Sequence, residues 1–186
     1  MYRWLLYLGV MLLAGCQSNA LLRDYDPGRD FSAYRTWQWQ EPPLRYQPDD
    51  PRLNNDLSNQ RIREALAQAL EARGLRQAAP GESADLRVQV WLMLDTRYQQ
   101  LHSHYGYYDA WGDPWYGWGG PVLQQTRTLE YQVRTLQIDL YDGRDNRLVW
   151  RAGREDAPEQ GNAPPARRRA AIQHSVDQML QYFPPH

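Results

Sequence analysis

The chain of 186 residues contains one cysteine, Cys16, and this count constrains its fold more than any other feature. A single thiol can form neither an intramolecular disulfide nor a metal site made of several cysteines. The fold must therefore be stabilised by side-chain packing. Aromatic residues supply much of the surface for it, with 8 Trp and 13 Tyr against 2 Phe. Trp and Tyr suit half-buried positions because one edge of each ring can form a hydrogen bond.

The residues before Cys16 have the order of a bacterial export leader. Arg3 precedes an apolar run over residues 4–13, and two small residues come directly before the cysteine. This run is about half as long as the roughly 20 residues of a membrane-spanning helix. Leu13-Ala14-Gly15-Cys16 resembles the lipobox of lipoprotein precursors. The resemblance implies cleavage between Gly15 and Cys16, and attachment of diacylglycerol and an N-acyl group to Cys16. We expect no cofactor besides these covalent lipids.

The same resemblance predicts the compartment. Gln17 follows the cysteine, whereas an aspartate at this position often retains such lipoproteins in the inner membrane. We therefore expect a signal peptide over residues 1–15, a lipidated tether over 16–23, and one domain over 24–186 that faces the periplasm from the outer membrane. Loss of Arg3 leaves 20 basic residues (21 minus one) against 22 acidic ones. This balance argues against a nucleic-acid partner.

Periodicity predicts an α+β fold. Alternating apolar residues indicate strands around residues 35–40 and 86–94, and helical stripes run over 62–70 and 172–183. Over residues 126–141 the apolar residues alternate first in one phase and then in the other. This change predicts two strands with a bulge near residues 134–135, followed by a hairpin to residues 148–150. Prolines and glycines predict loops over 41–51 and 154–165, the second of them mobile. We expect an antiparallel or mixed sheet of four to five strands with two helices packed on one face.

Seven short motifs occur in a fixed order from Tyr25 to Pro185. They are Tyr25-Asp26-Pro27, Asp30-Phe31-Ser32-x-Tyr34-Arg35-Thr36-Trp37-x-Trp39, Arg61-Ile62-Arg63, Ala84-Asp85-Leu86-x-Val88, Asp139-Leu140-Tyr141-Asp142, Leu148-Val149-Trp150-Arg151 and Phe183-Pro184-Pro185. Together they resemble the family catalogued as domain of unknown function 4136. The resemblance spans nearly the whole mature chain and implies a small envelope lipoprotein, in a family with no established activity.

The aromatic, glycine-rich segment over residues 102–120 is the candidate partner-binding loop. Seven of its residues are Tyr or Trp and five are Gly, so broad rings lie on an adaptable backbone. The candidate contact residues are Tyr105, Tyr107, Tyr108, Trp111, Trp115, Tyr116 and Trp118. Three interpretations remain open: the rings cover the domain's own sheet, they bind an envelope protein or glycan, or they enter the lipid headgroups.

Candidate chemistry elsewhere is sparse. His102 and His104, with Asp109 or Asp113, could bind a transition metal, but exposed polar residues at a loop edge are the preferred interpretation. There is no G-x-S-x-G nucleophile motif and no glycine-rich phosphate loop. We therefore expect a structural or binding module without catalytic residues, bound metal or small-molecule substrate. A hydrolase of envelope polymers is the alternative.

Overall fold

The computed structural model describes residues 21–50, 54–105, 123–156 and 163–185. These residues form six strands and two α-helices, with short 3-10 turns at Phe31–Ala33 and Leu180–Tyr182. The elements in chain order are β1 (Leu21–Tyr25), β2 (Thr36–Gln47), α1 (Asp56–Glu71), β3 (Arg76–Gln77), β4 (Leu86–Tyr105), β5 (Leu123–Asp142), β6 (Leu148–Asp156) and α2 (Pro165–Met179). None of the helices in this described part is long and apolar enough to span a membrane.

The six strands form one mixed sheet in the order β1-β6-β5-β4-β2-β3. The neighbouring pairs β1–β6, β6–β5 and β5–β4 are antiparallel, whereas β2 pairs in parallel with both β4 and β3. The α+β class, the mixed sheet and the two helices on one face are confirmed. The prediction of four to five strands was slightly low, because the two edge strands are only five and two residues long. Neither has a buried side chain that would produce a periodic signal.

Helix α1 begins and ends with local signals in its sequence. The Asn55 side chain accepts hydrogen bonds from the amides of Leu57 and Ser58, which caps the first turn. Beyond the last turn Gly74 has a φ of +83°, and the Leu75 amide donates to the Leu70 carbonyl at 3.2 Å. The predicted stripe is the buried face of this helix: Ile62, Ala65, Leu66, Ala69 and Leu70.

The core lies between the helices and one face of the sheet. The side chains of Leu86, Val88 and Val90 from β4 are fully buried there, as their alternation predicts. Aromatic rings close the core where the two ends of the chain meet. The Phe183 ring lies 5.4 Å from the Trp150 ring and 6.0 Å from the Phe31 ring, centroid to centroid. These contacts join the segment before β2, strand β6 and the C-terminal residues into one unit.

Strand β2 contradicts the prediction that residues 41–51 are loop. The strand continues to Gln47 through Pro42 and Pro43, and its register with β4 shifts between Trp39 and Leu44. Proline has no amide hydrogen for the ladder. The register shift leaves the Pro42 carbonyl out of the ladder, and the buried Gln89 side chain donates to this carbonyl at 3.0 Å.

Strand β5 also differs from its prediction. Residues 123–142 form one strand, paired one to one with β4, so the bulge predicted near Arg134–Thr135 is wrong. The phase change arises because the apolar side chains switch from one face to the other along a regular strand. Ile138 is buried under the helices, whereas Leu129 and Tyr131 are exposed on the opposite face.

Two predicted boundaries move by a few residues. β6 extends to Asp156, so the predicted loop over 154–165 begins in a strand, and residues 157–162 lie outside the described part. Residues 21–23, predicted as the end of the tether, belong to β1. Their pairing with β6 fixes the chain to the sheet from Leu21 onward.

Candidate interaction surface

Strands β4 and β5 extend beyond the rest of the sheet as a two-stranded ribbon. The pairing of β2 with β4 ends at Met93, and the pairing of β6 with β5 ends at Arg134. Residues 94–105 and 123–133 continue to pair only with each other within the described chain, and we call them the ribbon. At about 3.3 Å per residue the ribbon is roughly 35 Å long. An isolated two-stranded ribbon is marginally stable in water, so one of this length indicates a contact surface.

Both faces of the ribbon expose large apolar side chains. Tyr98 is 68% exposed, and Leu101, Leu129 and Tyr131 are 40 to 44% exposed. Leu129 lies opposite Gln99 and Tyr131 lies opposite Arg97, which places both on the face that points away from the helices. Tyr98 belongs to the other face. Within the described part of the chain these side chains pack against no core, so they form the candidate surface for a partner.

Charge divides the ribbon into two parts. Its inner part carries Asp95, Arg97 and Glu130, and the Arg97 guanidinium forms a two-pronged ion pair with Glu155 of β6. In the outer part, residues 99–105 and 123–129, Arg127 is the only charged residue apart from two histidines. We call this part the outer ribbon. It contains glutamine, threonine, leucine and tyrosine, and no acidic residue.

The sheet face opposite the helices has a buried carboxylate at its centre. The two Asp139 oxygens accept from Arg151 at 2.6 and 2.7 Å, and the Gln137 amide and Tyr141 hydroxyl lie within 3.3 Å. The hydrogen bond to Asp139 raises the pKa of Arg151, and burial, followed by the charge of Asp139, raises the pKa of Tyr141. Asp139 and Arg151 thus form an ion pair on this face of the sheet. Beside it the Arg45 guanidinium lies 5.3 Å from the centre of the Trp91 ring.

A second buried carboxylate, Asp142, lies at the end of the sheet remote from the ribbon. It accepts hydrogen bonds from the Tyr34 hydroxyl at 2.9 Å, from Arg29 at 3.1 Å and from Arg144 at 2.9 Å. The hydrogen bond from the Arg144 side chain is the main reason why the pKa of Asp142 lies well below its usual range. Burial, followed by the hydrogen bond to Asp142, raises the pKa of Tyr34 to about 12. This network joins the turn after β5 to the segment before β2.

Most of the predicted site residues lie outside the described part of the chain. Gly15 and Cys16 precede it, and Tyr107, Tyr108, Trp111, Trp115, Tyr116 and Trp118 fall between its second and third ranges. Tyr105 is the last residue of β4. The aromatic segment therefore follows directly from the end of the ribbon.

The predicted histidine pair lies on β4. The Nδ1 atom of His102 is 3.1 Å from the Thr126 hydroxyl, across the ribbon. Within the described ranges no three His, Cys, Asp or Glu side chains form a group that could hold a metal ion.

The family described as Domain of unknown function (DUF4136) matches residues 22–185. The chain belongs to this family. A crystal structure of a DUF4136 family protein from Bacteroides thetaiotaomicron is similar, with a TM-score of 0.51 and 20% identity over 88% of this chain and 95% of that one. No curated protein matches significantly.

A longer protein contains a similar fold. The crystal structure of a PDZ domain protein from Parabacteroides distasonis has a TM-score of 0.51 and 12% identity, and the match covers 89% of the present chain. It covers 35% of that protein, so the DUF4136 chain spans about a third of its length. At these identities both likenesses describe the fold alone.

Sequence reasoning missed the β4 half of the ribbon and both buried carboxylates, whereas most of the β5 half lies within the strands predicted over residues 126–141. The predicted β4 strand ended at residue 94, because the apolar alternation stops there. The remaining signal was residue type: Thr96 and Tyr98 are strand formers even where neither face is buried. The motif Asp139-Leu140-Tyr141-Asp142 did not reveal that both carboxylates are buried, because Arg151 for Asp139, and Arg29 and Tyr34 for Asp142, come from other segments.

Proposed function

We propose that this DUF4136 protein is a lipid-anchored module of the outer membrane that faces the periplasm and binds an envelope component through its ribbon. The observation that carries the proposal is the ribbon itself, which exposes Tyr98, Leu101, Leu129 and Tyr131 beyond the core. An envelope protein or glycan would bury these side chains. The contact residues predicted between Tyr105 and Trp118 follow the ribbon in the chain and belong to the same proposal.

A binding role is favoured over hydrolysis by the state of the buried acids. Both Asp139 and Asp142 are ion-paired with arginine in the described structure. A glycosidase needs two free carboxyl groups that flank a cleft. The depression lined by Asp24, Asp26 and Arg151 at the β1–β6 edge is shallow and open, without such a pair of buried acids.

Lipid anchoring is supported by the order of residues before Cys16 and is tested by Cys16→Ser. We expect this variant to remain an uncleaved precursor that incorporates no radiolabelled palmitate in growing cells, because the thiol is the atom to be acylated. Ser18→Ala is the control and should be labelled and cleaved like the wild type. Normal labelling of Cys16→Ser would contradict the anchor.

The binding surface is tested by photocrosslinking in intact cells. Benzoylphenylalanine replaces Tyr131 of the ribbon in one variant and Tyr182 beside the helices in the other. The two tyrosines are exposed to similar extents, 44% and 53%. We expect covalent adducts, detected by intact mass, mainly from position 131. Equal adduct yields from both positions would show that the ribbon has no special role.

A further inference from the structure

We propose that an extended segment of another envelope protein pairs with the free edge of β4 over residues 98–105 and adds a strand to the ribbon, an inference that rests on the proposed binding role of the ribbon. It names protein, not glycan, as the partner. β2 covers this side of β4 only as far as Met93. Beyond Met93, within the described part of the chain, β4 pairs only with β5 on its other side. The backbone groups on the free side therefore form an open strand edge.

The pairing pattern determines which backbone groups face this edge. In an antiparallel pair, every second residue bonds to the neighbouring strand and the residues between them point away from it. The Gly143 amide donates to the Asp85 carbonyl at 2.7 Å, and the register of β4 with β5 continues from this pair without a shift to the end of the ribbon. The odd-numbered residues of β4 therefore bond to β5. The amides and carbonyls of Tyr98, Gln100 and His102 point to the free edge.

The spacing of these groups indicates what can bind them. An outward amide and carbonyl recur at every second residue, about 6.8 Å apart along the strand. Another strand carries acceptors and donors at the same repeat and can pair with all of them, as in the binding of extended peptides to sheet edges. A glycan has no backbone with this repeat and would leave most of these groups to water. The edge therefore fits an extended polypeptide.

The other edges of the sheet are protected against such pairing. β1 has only five residues and carries Arg23 and Asp24, and β3 has two residues. β2 carries Pro42 and Pro43. Short strands, charged side chains and prolines are the usual features that prevent the addition of a strand. Residues 98–105 contain no proline, glycine, arginine, lysine or acidic residue, and their register has no bulge. This edge is left open where the others are closed.

The opposite edge of the ribbon, on β5, is less suited to an added strand. Its free stretch, residues 123–133, carries Arg127 and Glu130, and charged side chains beside an edge hinder pairing. On β4, Tyr98 is 68% exposed on one face and Leu101 is 40% exposed on the other. An incoming strand of apolar and uncharged polar residues would contact both. We therefore assign the added strand to β4 and expect this composition in the partner segment.

The test compares two prolines at the same level of the ribbon in intact cells. Gln100 and Thr128 lie directly opposite each other, and by the same alternation their amides point to opposite edges. Gln100→Pro removes an amide from the β4 edge but no hydrogen bond between β4 and β5, and Gln100→Ala removes the same side chain but keeps the amide. Thr128→Pro places the same ring on the β5 edge. Each variant carries benzoylphenylalanine in place of Tyr98, and mass spectrometry identifies the crosslinked peptides.

We expect peptides of a different protein to be attached at position 98. Relative to Gln100→Ala, their yield should fall at least about tenfold in Gln100→Pro and stay within about twofold in Thr128→Pro, because only the first proline blocks the paired edge. Thr128→Pro also controls for distortion of the ribbon, since its ring lies at the same level.

Four outcomes would overturn the added strand. They are equal yields from Gln100→Pro and Gln100→Ala, equal losses in both proline variants, adducts with a glycan or with a second copy of this chain, and no adduct at position 98 while position 131 still gives one. None of them removes the binding role of the ribbon. That role fails separately, if positions 131 and 182 give equal adduct yields.

Discussion

Asp142 shows how one buried side chain holds distant segments together. Its carboxylate is fully buried and bonds to Tyr34 and Arg29 from the segment before β2 and to Arg144 in its own turn. Next to it the Gly143 amide donates to the Asp85 carbonyl at 2.7 Å, and a Cβ at this position would lie 1.9 Å from the Ala84 carbonyl oxygen, which leaves no room for a side chain. The motif residues that carried the family resemblance are therefore structural at this end of the sheet.

Asp142→Asn tests this network through its pH dependence. The neutral amide loses the ion pairs, so we expect a decrease of about 2 kcal/mol in the free energy of unfolding at pH 7. The pKa of Asp142 is lower in the folded protein than in the unfolded chain. Its contribution to the free energy of unfolding is therefore fully present above the pKa of the unfolded chain, about 3.9, and is lost as the pH falls through the pKa of the folded protein. Urea titrations at several pH values should show the two proteins converging only below about pH 4. A difference that stayed constant into strong acid would contradict this assignment.

At the scale of elements, sequence patterns located long strands that bury one face, and they missed the outer half of β4, which is exposed. Strand β4 was predicted over residues 86–94, because alternate side chains there pack under the helices. The false bulge in β5 comes from the same boundary. Alternation specifies a strand only while one side remains in the core, and in β5 the apolar side changes where the sheet becomes the ribbon. In β2 the prolines indicated a loop, but the strand continues past them with a shift in its register to β4.

The two halves of β5 should respond differently to truncation of their side chains. Leu129→Ala and Tyr131→Ala remove exposed groups, so each should change the free energy of unfolding by no more than about 0.5 kcal/mol. Ile138→Ala, on the same strand but 1% exposed, should cost about 3 kcal/mol. Chemical denaturation measures all three. A large loss from the ribbon variants would mean that these side chains pack against the domain and are not free for a partner.

At the scale of the molecule, both ends of the described chain close the same core. Phe183 is 6% exposed and contacts rings from β6 and from the segment before β2. We expect Phe183→Ala to lower the free energy of unfolding by about 3 to 5 kcal/mol, because it leaves a cavity between these segments. Phe183→Leu, which keeps most of the volume, should cost less than about 1.5 kcal/mol. Thermal melting followed by circular dichroism separates the two, and similar melting points would show that the cluster is peripheral.

The predicted contact residues adjoin the ribbon along the chain, but the extension of β4 into the ribbon was not predicted. The aromatic segment over residues 102–120 begins within β4, and most of its residues lie outside the described part. The ribbon depends on where β2 and β6 stop pairing, and these are long-range facts that local patterns do not carry. The place of β1 in the sheet is equally non-local, since Leu21 pairs with a residue 133 positions away (154 minus 21).

The pairing of the first strand with the last also sets an order of events. In a chain made amino end first, β1 cannot pair until β6 has been made, since Leu21 requires Arg154 as its partner. The first described strand therefore joins the sheet only when the last strand is present. Under the lipid anchoring that we propose, the processing enzymes would act on Cys16 before β1 is fixed in the sheet.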